Sequence, residues 1–341
     1  MKKIMGQTEN SRDISSKRHG FRGVRWAAAA AAVCLGVLSA SGAALAEEAT
    51  TIRVGSILAL GTATPFVAEE LGYFEEAGLN VEVTEFSDGS AMMEAFAAGE
   101  LDVAMGGIGP AATWFMRGID LKVVAGTNGG GHVLMTRADS GIESVADLSG
   151  KMVAEPSIAT VTDALLRAKI LPDAGLTPDV DVILISGMKP ADMSTSLMAT
   201  KEVDAMITWE PYAAQAEADY GDDIKVIYDA AQEISGDSET GFYPGNVVVA
   251  TGDFIENHRE TLDAFLDVHE KTTDYINTDE GANEMLASVL QLDTSVVEAA
   301  RERIDFHYEI DQDAAMEILQ WSVDLGYLDE LPAAEDFFLA E

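Results

Sequence analysis

Val81-Glu82-Val83-Thr84-Glu85-Phe86, then Ser90 to Ala98 closed by Gly99, then Leu101-Asp102-Val103-Ala104-Met105: the architecture of the chain is legible from this stretch. In its first part apolar and polar residues alternate, the period of a strand with one solvated face. The middle part is a helix stopped by a glycine, and the last is a short buried strand. Upstream, Ile52-Arg53-Val54-Gly55-Ser56-Ile57 reads as another strand. A helix starting near Pro65 follows it and closes at Leu71-Gly72-Tyr73-Phe74 and Ala77-Gly78-Leu79. One β-α-β-α-β unit therefore runs from Ile52 to about Trp114. Helical crossovers of this length make its strands parallel.

The same order returns further on. Lys151-Met152-Val153-Ala154 is a strand, Val161 to Ile170 a helix closed by Ala174-Gly175-Leu176, and Val180 to Ile185 a second strand. A helix from Ala191 to Ala199 and the strand Val203-Asp204-Ala205-Met206-Ile207 complete the copy. Both copies end in proline with two alanines, Pro110-Ala111-Ala112 and Pro211, Ala213, Ala214. The expected fold class is α/β, with two parallel-cored lobes. Ligands of such sheets sit beyond the carboxyl ends of the strands, facing helix N-termini, and two facing lobes bury a ligand between them. Val133-Leu134-Met135-Thr136 and Val247-Val248-Val249-Ala250, flanked by glycines, read as a two-strand hinge. From Asp253 the chain reads as helical, with Asp253 and Glu256 as a capping box and a tail that packs on the first lobe. The boundaries expected are residues 47–135 with 248–341 for one lobe and 136–247 for the other.

Residues 1–46 read as an export signal. Basic Lys17, Arg18, Arg22 and Arg25 precede an apolar run from Trp26 to Leu38 and the exit Ala44-Leu45-Ala46, so cleavage is expected after Ala46. The run is interrupted at Ser39, Ser41 and Gly42, which makes it a poor membrane span. Cys34, the only cysteine, leaves with it. A thiol-free chain has no disulfide, thiolate metal site or cysteine nucleophile. The whole chain has a net charge of −38, and without the leader 14 basic residues face 57 acidic ones, a net of −43. Nucleic acid and anionic lipid are excluded as partners. The acids are scattered, which reads as a solvated surface suited to high salt.

Several motifs in order resemble a known family. They are Leu71-Gly72-Tyr73-Phe74-Glu75-Glu76-Ala77-Gly78-Leu79, Phe96-Ala97-Ala98-Gly99-Glu100-Leu101-Asp102-Val103-Ala104, Ser144 to Lys151, and Val203 to Tyr212. They resemble the ABC-transporter periplasmic solute-binding proteins of the nitrate, sulfonate and taurine type, related to thiamine-precursor binding proteins. The resemblance spans nearly all of the chain after the leader. It implies a periplasmic binding protein type II-like fold, a small-molecule ligand, and partners in an inner-membrane permease and its ATPase. One departure stands out. Relatives commonly show a Gly-Thr-Thr-like turn where this chain reads Pro156-Ser157-Ile158-Ala159-Thr160-Val161-Thr162, so the glycine that lets backbone approach an anion is missing.

The candidate ligand-binding residues fall on the loops that should line the cleft. Thr62 and Thr64 follow the first strand, and Ser90 follows Ser87-Asp88-Gly89; capping of a helix is the plain alternative for both loops. Gly107 and Ile108 lie in Gly106-Gly107-Ile108-Gly109-Pro110, where glycines allow close approach and present N–H groups. This is not a phosphate loop, because the Gly-Lys-Ser/Thr ending is absent. In the second lobe Ser157 and Thr160 add hydroxyls at a helix start, and Lys189 is the basic candidate for pairing an anion, against the plainer role of a solvated lysine. Trp209 and Tyr212 are read as walls for the ligand, and Glu210 as an acceptor from a ligand amine or a helix cap. His132 reads as a structural histidine beside the hinge. Neither H-E-x-x-H nor G-x-S-x-G is present, so no metal, cofactor or catalytic residue is expected.

The reading is a periplasmic, monomeric binding component of an ABC importer, with no enzymatic activity, that captures a small organic oxyanion such as an aliphatic sulfonate or taurine. Nitrate, bicarbonate, an aromatic carboxylate or a thiamine-precursor pyrimidine are the alternatives. An enzyme of thiamine-precursor synthesis and a sensory module are the rivals from other classes.

Overall fold

The first repeat folds as a parallel trio in the computed structural model of the protein, which describes residues 50–86, 89–234 and 244–340. The expected leader lies outside the described residues, as do Ser87 and Asp88. Along the first half the strands are β1 (Thr51–Ile57), β2 (Asn80–Phe86), β3 (Val103–Gly107), β4 (Leu121–Gly130), β5 (His132–Arg137) and β6 (Met152–Ala154). They continue as β7 (Ile183–Ile185), β8 (Ala205–Trp209), β9 (Ile224–Asp229), β10 (Pro244–Thr251) and β11 (Ile304–Phe306). β1 lies between β2 and β3, parallel to both, with Val54 opposite Val83 and Val103. β6 lies between β7 and β8 in the same way. The two repeats thus build the two parallel cores that their patterns predict.

Antiparallel strands complete each sheet. β10, β4 and β11 extend the first into the order β11-β4-β10-β3-β1-β2. β5 and β9 extend the second into β7-β6-β8-β5-β9. Val133–Thr136 and Val247–Ala250, expected as the hinge, are instead inner strands: β5 pairs on both sides within the second sheet, and β10 within the first. Their β-rich, unbroken apolar character is that of strands buried on both faces. The chain passes from one sheet to the other at Gly130 and Gly131, with φ of 73° and 84°. A Cβ on Gly130 would fall 2.6 Å from the Arg303 carbonyl, so only glycine fits the passage.

Other expectations shift at their ends. The strand expected over Val180–Ile185 is confined to β7, because Val180 and Asp181 both donate backbone N–H to the Thr177 carbonyl and close a turn first. The helix Val161–Leu165 continues through a π-turn over Leu166–Ile170. Asp253 does not cap the helix Gly252–Asn257. Thr251 does, its Oγ1 accepting from Phe254 N–H at 3.2 Å, while Asp253 accepts from the Asn257 side chain. The N-cap residue must sit outside the helix in extended conformation, and the helix begins two residues earlier than its acids suggest.

The tail is helical, as its spacing predicts. The helix Arg259–Thr278 buries Leu262, Phe265, Val268 and Ile276, and Phe265 stacks on Phe74 with centroids 5.8 Å apart. The helix Gln312–Asp324 behaves differently from the expectation of a tail on the first lobe alone. Its Ala315, Ile318 and Leu319 share one buried cluster with Ile108 and Ala112 from the first repeat and with Val161 and Leu165 from the second. The described residues after the leader lie in one compact unit, Glu47–Glu341. Among them no helix is long and apolar enough to cross a membrane.

Candidate functional site

The carboxyl ends of β1 and β3 carry the first set of expected ligand residues, and most of their side chains are engaged within the fold. Thr62 is buried, and its Oγ1 donates to the Ile57 carbonyl at 2.6 Å. Thr64 opens the helix Thr64–Glu70, but its hydroxyl turns inward to His269 Nδ1 at 3.1 Å. His269 Nε2 lies 2.8 Å from the Gly126 carbonyl, which can only accept, so Nε2 carries the hydrogen and Nδ1 accepts from Thr64. Burial holds this histidine down at about 4, so it is neutral. Thr64 is therefore a core hydroxyl and not a cleft one, contrary to expectation. The reason is that a helical N-terminal threonine has two sides, and here the helix Arg259–Thr278 supplies the partner.

Ser90 lies in the first turn of the helix Gly89–Ala97 and is exposed. Gly107 ends β3 and stands before the helix Ile108–Met116, whose N-terminus no side chain caps. The Ile108 side chain is fully buried in the core, so at this turn it is backbone, not side chain, that a ligand meets. Beside Gly107 lies a small apolar hollow among Met92, Met93, Pro110, Ala111 and Val247, with a cavity volume of only about 10 Å³. It offers nothing polar to an anion. Nearby, Asn128 Oδ1 accepts from Asn246 Nδ2 at 2.9 Å and from Thr127 Oγ1 at 3.0 Å. A Cβ on Gly61 would stand 2.4 Å from the same oxygen, so the first loop closes down on this pair.

The second sheet supplies the other wall. Ser157 is exposed, and its carbonyl accepts from Thr160 Oγ1 at 2.8 Å. Thr160 caps the helix Val161–Leu165 through Asp163 N–H. Lys189 is exposed at the N-cap of the helix Pro190–Met198, which has no side-chain cap. Trp209 is half-buried at the end of β8 and meets Tyr212 edge to face, centroids 6.1 Å apart. Opposite Trp209 in the register is His132, buried and held neutral by desolvation, with its ring down at about 4.

Glu210 departs most from its expected role as a contact for a ligand amine. It is buried, accepts from Ala214 N–H at 3.0 Å, and takes Arg303 Nη1 at 2.9 Å. Arg303 also meets Glu217 at 2.7 Å and Asp229 at 3.4 Å. Burial raises Glu210 while Ala214 and Arg303 oppose the shift. The helix-cap alternative is the one realised, joined by an ion pair that reaches in from 93 residues away along the chain. No spacing rule points to that partner.

The two sets of loops meet. A Cβ on Gly109 would lie 3.2 Å from the Ala159 carbonyl, so the helix Ile108–Met116 abuts the loop before Val161. Glu210 N–H donates to the Gly131 carbonyl at 2.8 Å, drawing the Trp209–Tyr212 loop to the passage between sheets. Glu155, Asp163, Arg167 and Ser186 form a charged cluster just behind the Pro156–Thr160 loop. Sequence reasoning missed it. The signal available was an acid placed directly after an apolar strand, at Val153-Ala154-Glu155.

This architecture, two mixed sheets with helix N-termini converging between them, defines the periplasmic binding protein fold. The aliphatic sulphonate binding protein SsuA of Escherichia coli shares it, with a TM-score of 0.72 over 85% of this chain and 92% of that one, at 19% identity. Residues 45–291 match the model of the NMT1-like family, and the chain belongs to that family. A relative from Brucella abortus named as a binding protein is 30% identical over 253 residues, covering 72% of this chain and 74% of its own length. The taurine-binding periplasmic protein of E. coli is 27% identical over 195 residues, 57% of this chain and 56% of that one.

Proposed function

We propose that this protein is the extracytoplasmic solute-binding component of an ABC importer, and that it captures a small organic oxyanion of the aliphatic sulfonate or taurine type. In this reading the first sheet with its helices is one lobe and the second sheet the other, with the passage at Gly130–Gly131 as one hinge strand. The lobes close on the ligand, and the closed form docks on a membrane permease with its ATPase. Binding is its whole task, and no catalytic role is assigned to any residue. A periplasmic, monomeric protein is the corresponding state.

One observation carries the reading. The N-terminus of the helix Ile108–Met116, capped by no side chain, abuts the Ala159 loop of the opposite sheet. Helix N-termini present N–H groups and a positive dipole end, which suits an anion without an arginine. A second point removes an objection. The Glu210 carboxylate would repel an anion, but Arg303 and Ala214 N–H occupy it. The relatives named for a sulfonate and for taurine support this choice of ligand class.

A thermal-shift screen of the purified protein tests this with ethanesulfonate, taurine, nitrate, bicarbonate, an aromatic carboxylate and thiamine-precursor pyrimidines. Stabilisation by the sulfonates is expected. Trp209→Ala should weaken their binding about tenfold, because a half-buried aromatic wall contributes on the order of 1 kcal/mol or more. Stabilisation by pyrimidines with none from sulfonates would sink the assignment.

A further inference from the structure

Just beyond β6 the chain buries a carboxylate in a cluster that holds more acid than base. Glu155 is 0% exposed. Its Oε1 accepts from Arg167 Nη2 at 2.5 Å and from the Ser186 hydroxyl. Its Oε2 is buried with no hydrogen-bond partner among the described residues. Arg167 also donates to Asp163 through Nε at 2.6 Å and to Asp179 through Nη1. Tyr327, from the segment after the helix Gln312–Asp324, hydrogen-bonds Asp163. Three carboxylates thus surround one guanidinium.

The donors decide where a proton belongs. Asp163 has both oxygens engaged, Oδ1 by Arg167 and Oδ2 by Ala159 N–H at 2.9 Å. Asp179 is 58% exposed, so water reaches its carboxylate. Glu155 alone has two donors on one oxygen and none on the other. That is the pattern of a neutral carboxyl, whose carbonyl oxygen accepts while its hydroxyl has yet to donate. Leaving a charged oxygen buried and unpaired would cost several kcal/mol. Burial accordingly pushes this carboxyl up to about 7, with Asp163 adding to the shift and Ser186 and Arg167 opposing it.

The position points to a ligand. Glu155 follows the last residue of β6, at the end of a parallel strand where ligands of such sheets lie. The loop it begins carries Ala159, which meets Gly109 of the opposite sheet. Arg167, which orients Oε1, sits in the π-turn, a distortion often found at functional sites.

We propose that Glu155 carries a proton on Oε2 and donates it to an oxygen of the bound oxyanion. It is then the neutral hydrogen-bond donor of the second sheet, filling the place of the anion-binding glycine turn that this chain lacks. The inference rests on the oxyanion reading of the cleft. Losing the proton would turn the donor into a carboxylate facing an anion, so binding is coupled to pH.

Calorimetric titration of ethanesulfonate into the protein between pH 5.5 and 9 reads this. The expected Kd is constant below about pH 7 and rises about tenfold per pH unit above it. Glu155→Gln keeps a donor but has no proton to lose. It should hold Kd within a few-fold and flatten the profile, whereas Glu155→Ala should weaken binding throughout. Infrared spectroscopy provides a readout that needs no ligand: a protonated-carboxyl C=O band at pH 6, absent from Glu155→Gln. Ethanesulfonate binding with a flat pH profile, or no such band in the wild type, overturns the role of Glu155 and leaves the oxyanion reading standing. Failure of ethanesulfonate, taurine and nitrate to bind at any pH overturns both.

Discussion

The two repeat units share one strand order and differ in what they place under it. Beneath the β1–β3 unit the buried polar side chains are neutral: Ser56, Thr62, Thr64 and, from the tail, His269. Its charged pair, Arg53 with Asp102, stays at the rim, with the arginine 42% exposed. Beneath the β6–β8 unit lie Glu155 and Asp163, both fully buried on Arg167. A common topology places helix N-termini alike in both halves. It does not dictate which half takes charge into its interior, and the half that does so gains a group that can titrate near neutrality.

The largest consequence is energetic. Removing one partner of a buried ion pair leaves the others uncompensated, so Arg167→Met should destabilise the fold by about 3–5 kcal/mol in a denaturant titration. The matching change at the first unit, Arg53→Ala, should cost about 1 kcal/mol or less because that pair is solvated. Equal losses at the two sites would erase the contrast.

The pH responses should run in opposite directions. His269 is held at about 4, below its unfolded value near 6.5, so the unfolded chain binds the extra proton and stability is lost as pH falls from about 6.5 towards 4. Glu155 is raised to about 7 from an ordinary value near 4.5, so the folded chain holds the proton and stability is lost as pH rises through 7. The two windows overlap and oppose each other between about 4.5 and 6.5, so in folding stability measured from pH 4 to 8 His269→Gln should unmask a loss towards neutral pH and Glu155→Gln a loss towards acid. The reverse pattern would contradict the assigned protonation states.

A further effect concerns one hydrogen bond. Thr64→Val removes the donor to His269 Nδ1 and leaves a buried acceptor unmet, costing about 1–3 kcal/mol with no change in ligand affinity. A loss of affinity without a loss of stability would return Thr64 to the cleft.

Periodicity was enough for the repeats. Alternation in Val81–Phe86, glycine stops at Gly99 and Gly175, and crossovers of sufficient length are local features, and they foretold two parallel trios, though not which strand lies in the middle of each. The strands β5 and β10 were found by their apolar runs and misplaced as a hinge, since an apolar run states burial but not which sheet provides it. Ser157, Thr160, Lys189, Trp209 and Tyr212 do lie at the ends of their strands or helices, because strand-to-helix order sets those positions.

Partners were another matter. Glu210 looked free to meet a ligand until the fold brought Arg303 to it, and Thr64 looked like a cleft hydroxyl until the helix Arg259–Thr278 presented His269. The chain's local patterns were sufficient for the class of fold, the repeat and the loops that face each other. The fold alone settled which polar groups are consumed inside it and which oxygen is left without a donor. Hydrogen bonds and ion pairs join residues far apart in sequence, and their geometry exists only once the sheets and the tail have packed.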